Sequence, residues 1–227
     1  MKPKSESSCG GFSLVELLVV IGIISIFLAI GVGFGRSLSG SGVSTASAQA
    51  EALFHEARAI ALGSGRLSRV LIDVNDANSE TYLRRVAIVA QMLDNNGKPM
   101  PDQWELTSGV LMLPTSIYFS KEFSRKDFVR GTGALDEMKL TAGGDHYNGT
   151  YAYYEFNSEG VCSSSVATDG SYTAPAFVLG RGVRDPGGEP RLNAGGRRDF
   201  GGFVIWRNGS TSVFRDPSQI IGNTAPQ

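Results

Sequence analysis

One stretch limits every fold this chain can adopt. From Phe12 to Phe34 there are 23 consecutive residues whose only ionisable side chain is Glu16. As a helix rising about 1.5 Å per residue they span roughly 35 Å, enough to cross the hydrocarbon core of a bilayer. A carboxyl group inside such a helix costs on the order of 2.5–3.5 kcal/mol at the centre, and less near an end. Glu16 therefore calls for a cation.

The residues ahead of the run indicate which one. Residues 1–11 are short, polar and weakly basic, with Lys2 and Lys4. A cut after Gly11 would leave a new α-amino group on Phe12, four positions from Glu16. Lys2 and Lys4 before the run against Arg36 just after it favour a cytoplasmic N terminus, which places the remainder of the chain outside the cytoplasm.

The arrangement Gly11-Phe12-Ser13-Leu14-Val15-Glu16 followed by an apolar run resembles the type IV prepilin and type II secretion pseudopilin family. The resemblance implies that Gly11 precedes the cleavage site, that Phe12 becomes the N-methylated terminus, and that Glu16 acts in assembly. It also implies an α+β, pilin-like fold with a long N-terminal helix laid on an antiparallel sheet. The implied partners are a prepilin peptidase, other pilin or pseudopilin subunits, an inner-membrane assembly platform and membrane lipid. The implied location is the bacterial inner membrane, single-pass, with the globular part in the periplasm and later in a pilus or pseudopilus. Where family helices often carry a proline after the new terminus, this chain has Gly33, so flexibility is kept and the residue is not.

Other N-terminal readings fit less well. A secretory signal peptide has an apolar core of about 7–15 residues and a small-residue cleavage site, whereas this run is longer and holds Glu16. Lipidation at Cys9 fails on order, because Cys9 precedes the apolar stretch. A plain single-pass anchor, with Glu16 snorkelling to the interface and a β-rich binding domain that never polymerises, stays open as the alternative function. It leaves the Gly11-Phe12-Glu16 junction without a role.

The rest of the 227 residues divides as a leader at 1–11, a transmembrane and assembly helix at 12–35, an amphipathic second half of the helix at 36–62, and a β-rich globular domain at 63–227. The amphipathic part places Leu53, Phe54, Ala57, Ile60 and Ala61 at helical spacing, with Glu51, Glu56 and Arg58 elsewhere, and stops at Gly63-Ser64-Gly65. After Arg66 the period changes. Strands are expected at 69–74, 82–93, 110–113, 117–119, 151–156, 176–179, 203–206 and 212–214, from β-branched and aromatic residues between turn signals. Asn96-Gly97, Asn148-Gly149 and Asn208-Gly209 read as type I′ turns, the last closing a terminal hairpin. The strand and glycine-turn pattern from Tyr154 to Val213 further resembles the pseudopilin H and minor-pilin T group. Residues 121–145, with a short helix at 135–140, and the arginine-rich residues 180–202 are expected as long solvated loops, docking of a neighbouring subunit being their other reading.

The formal net charge of −1 supplies no field that would recruit nucleic acid, and neither long loop has the interleaved aromatics of a base-stacking platform. Asp73-Val74-Asn75-Asp76-Ala77-Asn78 begins like a calcium loop, but Ala77 stands where an oxygen ligand is needed and Asn78 where the turn glycine belongs, so a strand end and turn are expected. His55 and His146 have no zinc-ligand spacing, and no phosphate-cradling loop appears. No catalytic residues, metal ligands, cofactor or small-molecule substrate are expected, and Cys162 is expected as a small buried thiol, an intermolecular bridge being the alternative. The chain reads as a structural subunit and not as an enzyme.

Overall fold

The computed structural model describes residues 42–141, 146–165, 172–185, 188–192 and 200–214. Gly11, Phe12, Glu16 and the apolar run lie outside them.

Helix α1 occupies residues 42–64. Val43, Ala46, Ala50, Leu53, Phe54, Ala57 and Ala61 recur every three or four residues and are buried, so α1 offers one apolar stripe. The helix ends at Gly65, whose φ of 68° and N–H bond to the Ala61 carbonyl (3.0 Å) form a left-handed cap. Ser68 then donates to the Ala57 carbonyl at 2.6 Å and ties the first strand to the helix.

Ten strands follow among the described residues, and they form two antiparallel sheets where the sequence suggests one. The first contains β1 (Ser68–Asp73), β2 (Arg85–Leu93), β3 (Pro99–Met112), β5 (Glu137–Leu140) and β6 (Gly149–Phe156), in the order β3-β2-β1-β6-β5. The second contains β4 (Ile117–Phe119), β7 (Ala176–Val183), β9 (Phe200–Ile205) and β10 (Thr211–Phe214), in the order β10-β9-β7-β4, with β8 (Arg191–Leu192) paired to β7. This is a helix on antiparallel sheets, the α+β architecture expected from the sequence.

Both sheets turn an apolar face to α1, and Phe54 is the node. Its ring meets Tyr154 at 5.0 Å and Phe156 at 6.3 Å on one sheet, and Phe177 at 5.2 Å and Phe203 at 5.0 Å on the other, all edge-on. Burying such a side chain stabilises the fold by roughly 1.5–3 kcal/mol, with about 0.5–1.5 kcal/mol more for each favourable ring pair. Tyr154 carries a second link, its hydroxyl donating to the Ala176 carbonyl at 2.6 Å across the sheets. Cys162 is fully buried in this core, as expected.

Several elements differ from their sequence reading, each for a local reason. Residues 82–84 form a turn, with Leu83 left-handed at φ 56°, so β2 starts at Arg85. β3 is far longer than residues 110–113 because its breakers are absorbed rather than terminal. Asp102 and Gly109 take φ of 57° and 103°, and the pairing with β2 shifts register between Ala87 and Val89 and again between Gln91 and Leu93. The short helix expected at 135–140 is instead β5, which pairs with β6. Gly149 opens β6 opposite Leu140, so Asn148-Gly149 is no two-residue turn. Residues 180–202 are not a plain loop either, since β7 continues to Val183 and β8 folds back onto it.

Segment 121–135 is also ordered by its contacts. Ser120 N–H bonds to Val178 O, Ala176 N–H to Arg125 O and Phe128 N–H to Ala174 O, extending the β4–β7 pairing. Phe123 and Phe128 then cover Ala176 and Val178 on the outer face of the second sheet, beside Phe200 and Phe214.

Candidate functional site

The head grips α1 on three sides. Beneath it lies the apolar core. On one flank Thr211 of β10 donates to the Glu51 carboxylate and lies 3.4 Å from Nε2 of His55, while Arg58 donates to the Gly160 carbonyl at 3.1 Å. On the other flank Gly109 is so close to Glu56 that a Cβ there would stand 3.1 Å from its carboxylate. The glycine at this bulge is therefore required twice, by its φ and by the carboxylate.

Most of what remains open on α1 forms one stripe, with Thr45 and Gln49 exposed beside its start. Ser44, Ala48, Ala52, His55, Ala59 and Leu62 are exposed at spacings of four, four, three, four and three, which is a single face of a 3.6-residue helix. Four of the six side chains are serine or alanine, so the backbone of a second helix or a neighbouring head could approach closely along most of its length. His55 falls here, an exposed residue with one weak partner.

The outer face of the first sheet holds a second set of interactions that the sequence did not disclose. Arg69 lies between two rings, 4.0 Å from the Trp104 centroid and 4.1 Å from that of Tyr153, and pairs with Glu155 at 2.7 Å. Strand β3 and strand β5 are opposite edges of this sheet, yet Asp102, Gln103 and Trp104 of the one and Lys139 and Leu140 of the other line one cavity of about 230 Å³. The sheet is curled around a small core of Leu71, Val89, Trp104, Leu140 and Tyr151.

Asp73 resolves the calcium-like stretch. It ends β1, is buried, accepts from Thr81 at 2.6 Å and Arg85 at 2.7 Å, and receives the Asn75 N–H at 3.0 Å. This is a strand end and turn with a buried ion pair, as its residues indicated. Arg85 also reaches the Tyr151 hydroxyl at 2.7 Å. Burial raises the pKa of Tyr151, Tyr153 and Tyr154, with the nearby Arg69 and Arg85 pulling the first two back. Tyr82, whose hydroxyl donates to Glu189 at 2.6 Å, is raised by burial first and by that carboxylate second. The phenols of Tyr82, Tyr151 and Tyr154 serve as donors in the framework.

Among the described residues no three His, Cys, Asp or Glu side chains group as metal ligands would. No helix among them is long and apolar enough to cross a membrane. The geometry is that of a head holding and presenting a helix.

Comparison with known proteins bears on the N-terminal segment. Residues 7–32 match the prokaryotic N-terminal methylation motif, a span that includes Gly11, Phe12 and Glu16. Comparison with curated protein sequences gives no match. Two crystal structures of the type IV minor pilin FimU from Pseudomonas aeruginosa PAO1 are similar at 11% identity. The form in space group P21 aligns over 82% of this chain and 92% of that one at a TM-score of 0.37. The form in P65 aligns over 81% and 97% at 0.35. Both scores fall below the level at which two chains share a fold, so the assignment rests on the motif. The chain carries the prokaryotic N-terminal methylation motif.

Proposed function

We propose that this chain is a prepilin-like subunit, a pseudopilin or minor pilin, cut after Gly11 and N-methylated on Phe12 by a prepilin peptidase. It is then built through its N-terminal helix, with an inner-membrane assembly platform, into a type II secretion pseudopilus or a type IV pilus. The observation that carries this reading is the methylation motif at residues 7–32, in which glycine, phenylalanine, glutamate and apolar length coincide. The open stripe of α1 supports it, because a head that grips three sides of a helix and lines the fourth mostly with small side chains is suited to packing beside copies of itself. The role is structural, and no residue is assigned a catalytic part.

Glu16 has the sharpest physical task. Where apolar helices pack and water is excluded, an unpaired carboxylate and an unpaired terminal amine are each costly, and pairing them offsets much of that cost. Glu16 of one subunit then positions the Phe12 amine of the next and fixes their axial step. Glu16→Ala should leave membrane insertion and cleavage intact, because the peptidase acts before assembly, and should sharply reduce incorporation. Cysteine crosslinking to the cognate major subunit reads this out. Normal incorporation of a correctly cleaved Glu16→Ala chain would show that the charge pair does not register the subunits.

A further inference from the structure

Two turns lie side by side at the end of the head where α1 stops. Residues 157–161 and 206–210 meet through the Cys162 N–H, which donates to the Arg207 carbonyl at 3.0 Å. A Cβ on Gly160 would stand 2.9 Å from Leu62 and one on Gly209 would stand 2.5 Å from Arg58, so both turns press on the end of the helix. Val161, Trp206, Arg207, Asn208 and Ser210 line an open concavity of about 470 Å³ there, within the size range of small-ligand sites.

Trp206 is 43% exposed, and its Nε1–H donates to the Ser212 hydroxyl at 2.7 Å, which satisfies the ring's one polar group and holds its plane. The indole therefore offers a flat apolar surface. Arg207 lies 3.7 Å from the ring centroid of Tyr172, itself 60% exposed, and makes no ion pair among the described residues. A guanidinium that is stacked and not neutralised keeps its planar fork of donors for a carboxylate.

The remaining polar groups narrow the ligand. The carbonyls of Trp206, Arg207 and Ser210 accept from Gly209, Cys162 and Trp206. Asn208 Oδ1 accepts both the N–H and the hydroxyl of Ser210. What Arg207 and Asn208 have left are N–H donors. A matching ligand is rich in acceptor oxygens and has an apolar face for the indole, and a pyranose bearing a ring carboxylate has both. One free cation, with Glu159 exposed on the neighbouring turn, suits a single carboxylate better than the phosphate run of a nucleic-acid strand. An acidic peptide would meet the guanidinium and leave the indole bare.

We infer that this cleft is a binding site for an acidic saccharide, a sugar chain that carries ring carboxylates. The C–H face of one pyranose covers Trp206, its carboxylate takes the Arg207 guanidinium, and a ring or hydroxyl oxygen accepts from Asn208. The site belongs to the head alone and is independent of how the N-terminal segment is processed. In the sequence Trp206 and Arg207 read only as part of a hairpin, and it is the fold that sets Tyr172 beside them.

The test titrates the full chain in detergent with oligomers of galacturonic acid and of mannuronic acid, followed by intrinsic fluorescence. The chain has two tryptophans, and Trp104 is 4% exposed, so a ligand-dependent change reports on Trp206. The methyl ester of the galacturonate oligomer keeps the rings and removes the charge. An acidic oligomer should saturate the signal and its ester should bind about tenfold more weakly. Arg207→Gln should weaken the acid by a similar factor and leave the ester nearly unchanged, and Trp206→Ala, followed by calorimetry, should bind neither. The comparison of acid with ester needs no variant and decides the matter even where a variant misfolds. Equal affinity for acid and ester, no binding of either acidic oligomer, or tighter binding of single-stranded oligothymidylate or of a polyglutamate peptide overturns the acidic-saccharide site.

Discussion

Phe54 and Tyr154 show how single residues couple helix and sheets. The place of Phe54 on the buried stripe was legible, because Leu53, Phe54, Ala57 and Ala61 recur at helical spacing. Its four ring partners were not, since they come from strands whose register no local pattern states. The same holds for Arg69, which reads as an ordinary strand cation and proves to lie between Trp104 and Tyr153. Tyr154 has a thermodynamic consequence. Its phenol titrates near 10.0 when unfolded and well above that when buried. Above pH 10 the unfolded chain binds fewer protons than the folded one, so stability must fall with rising pH, by up to about 1.4 kcal/mol per pH unit per such group. Tyr82, Tyr151 and Tyr153 act in the same direction. Urea unfolding at pH 8 and pH 11 should show this loss, and Tyr154→Phe should reduce the pH dependence while costing about 1 kcal/mol at pH 8 through the lost bond to Ala176. A stability that is flat between these pH values would contradict the burial of the phenols.

Two of the three Asn-Gly turns, at 96–97 and 208–209, were legible in position and wrong in type. Residues 94–98, 157–161 and 206–210 share one geometry. In each the fourth residue, Gly97, Gly160 or Gly209, donates to the carbonyl of the first, and the first donates to the carbonyl of the fifth. The glycines are left-handed at φ 77°, 69° and 75°, while Asn96 and Asn208 are not among the left-handed residues. These are type I turns closed by a glycine bulge, where at 96–97 and 208–209 Asn-Gly suggested type I′. Two of the glycines make a measurable contrast. A Cβ on Gly97 would meet nothing within 4 Å, whereas one on Gly209 would stand 2.6 Å from the Gly160 carbonyl and 2.5 Å from Arg58. Gly97→Ala should cost about 1–2 kcal/mol for its backbone conformation alone, and Gly209→Ala distinctly more. Equal costs in chemical unfolding would mean that the turn does not press on α1. Strand β3 escaped detection before residue 110 because Pro99, Pro101, Asp102 and Gly109 are strand breakers, and only pairing with β2 overrides them. The pattern of β8 was hidden for a related reason, two residues being too few to carry a period.

At the scale of the whole molecule the chain has a head, residues 42–214 in the described part, and an N-terminal segment whose chemistry is written in its sequence. The head was legible as α+β and not as two sheets, because which apolar faces meet is decided by packing. The N-terminal segment is legible as a methylation motif, because Gly11, Phe12, Glu16 and the apolar run stand in a few contiguous residues. The open stripe of α1 fits the proposal of a subunit that is processed and then packed. That account stands or falls on the junction between Gly11 and Phe12. The direct test is an intact mass of the protein extracted from membranes of a host with an active prepilin peptidase. The account predicts a chain that begins at Phe12 and carries one added methyl group, and a mass that still contains residues 1–11 would contradict it.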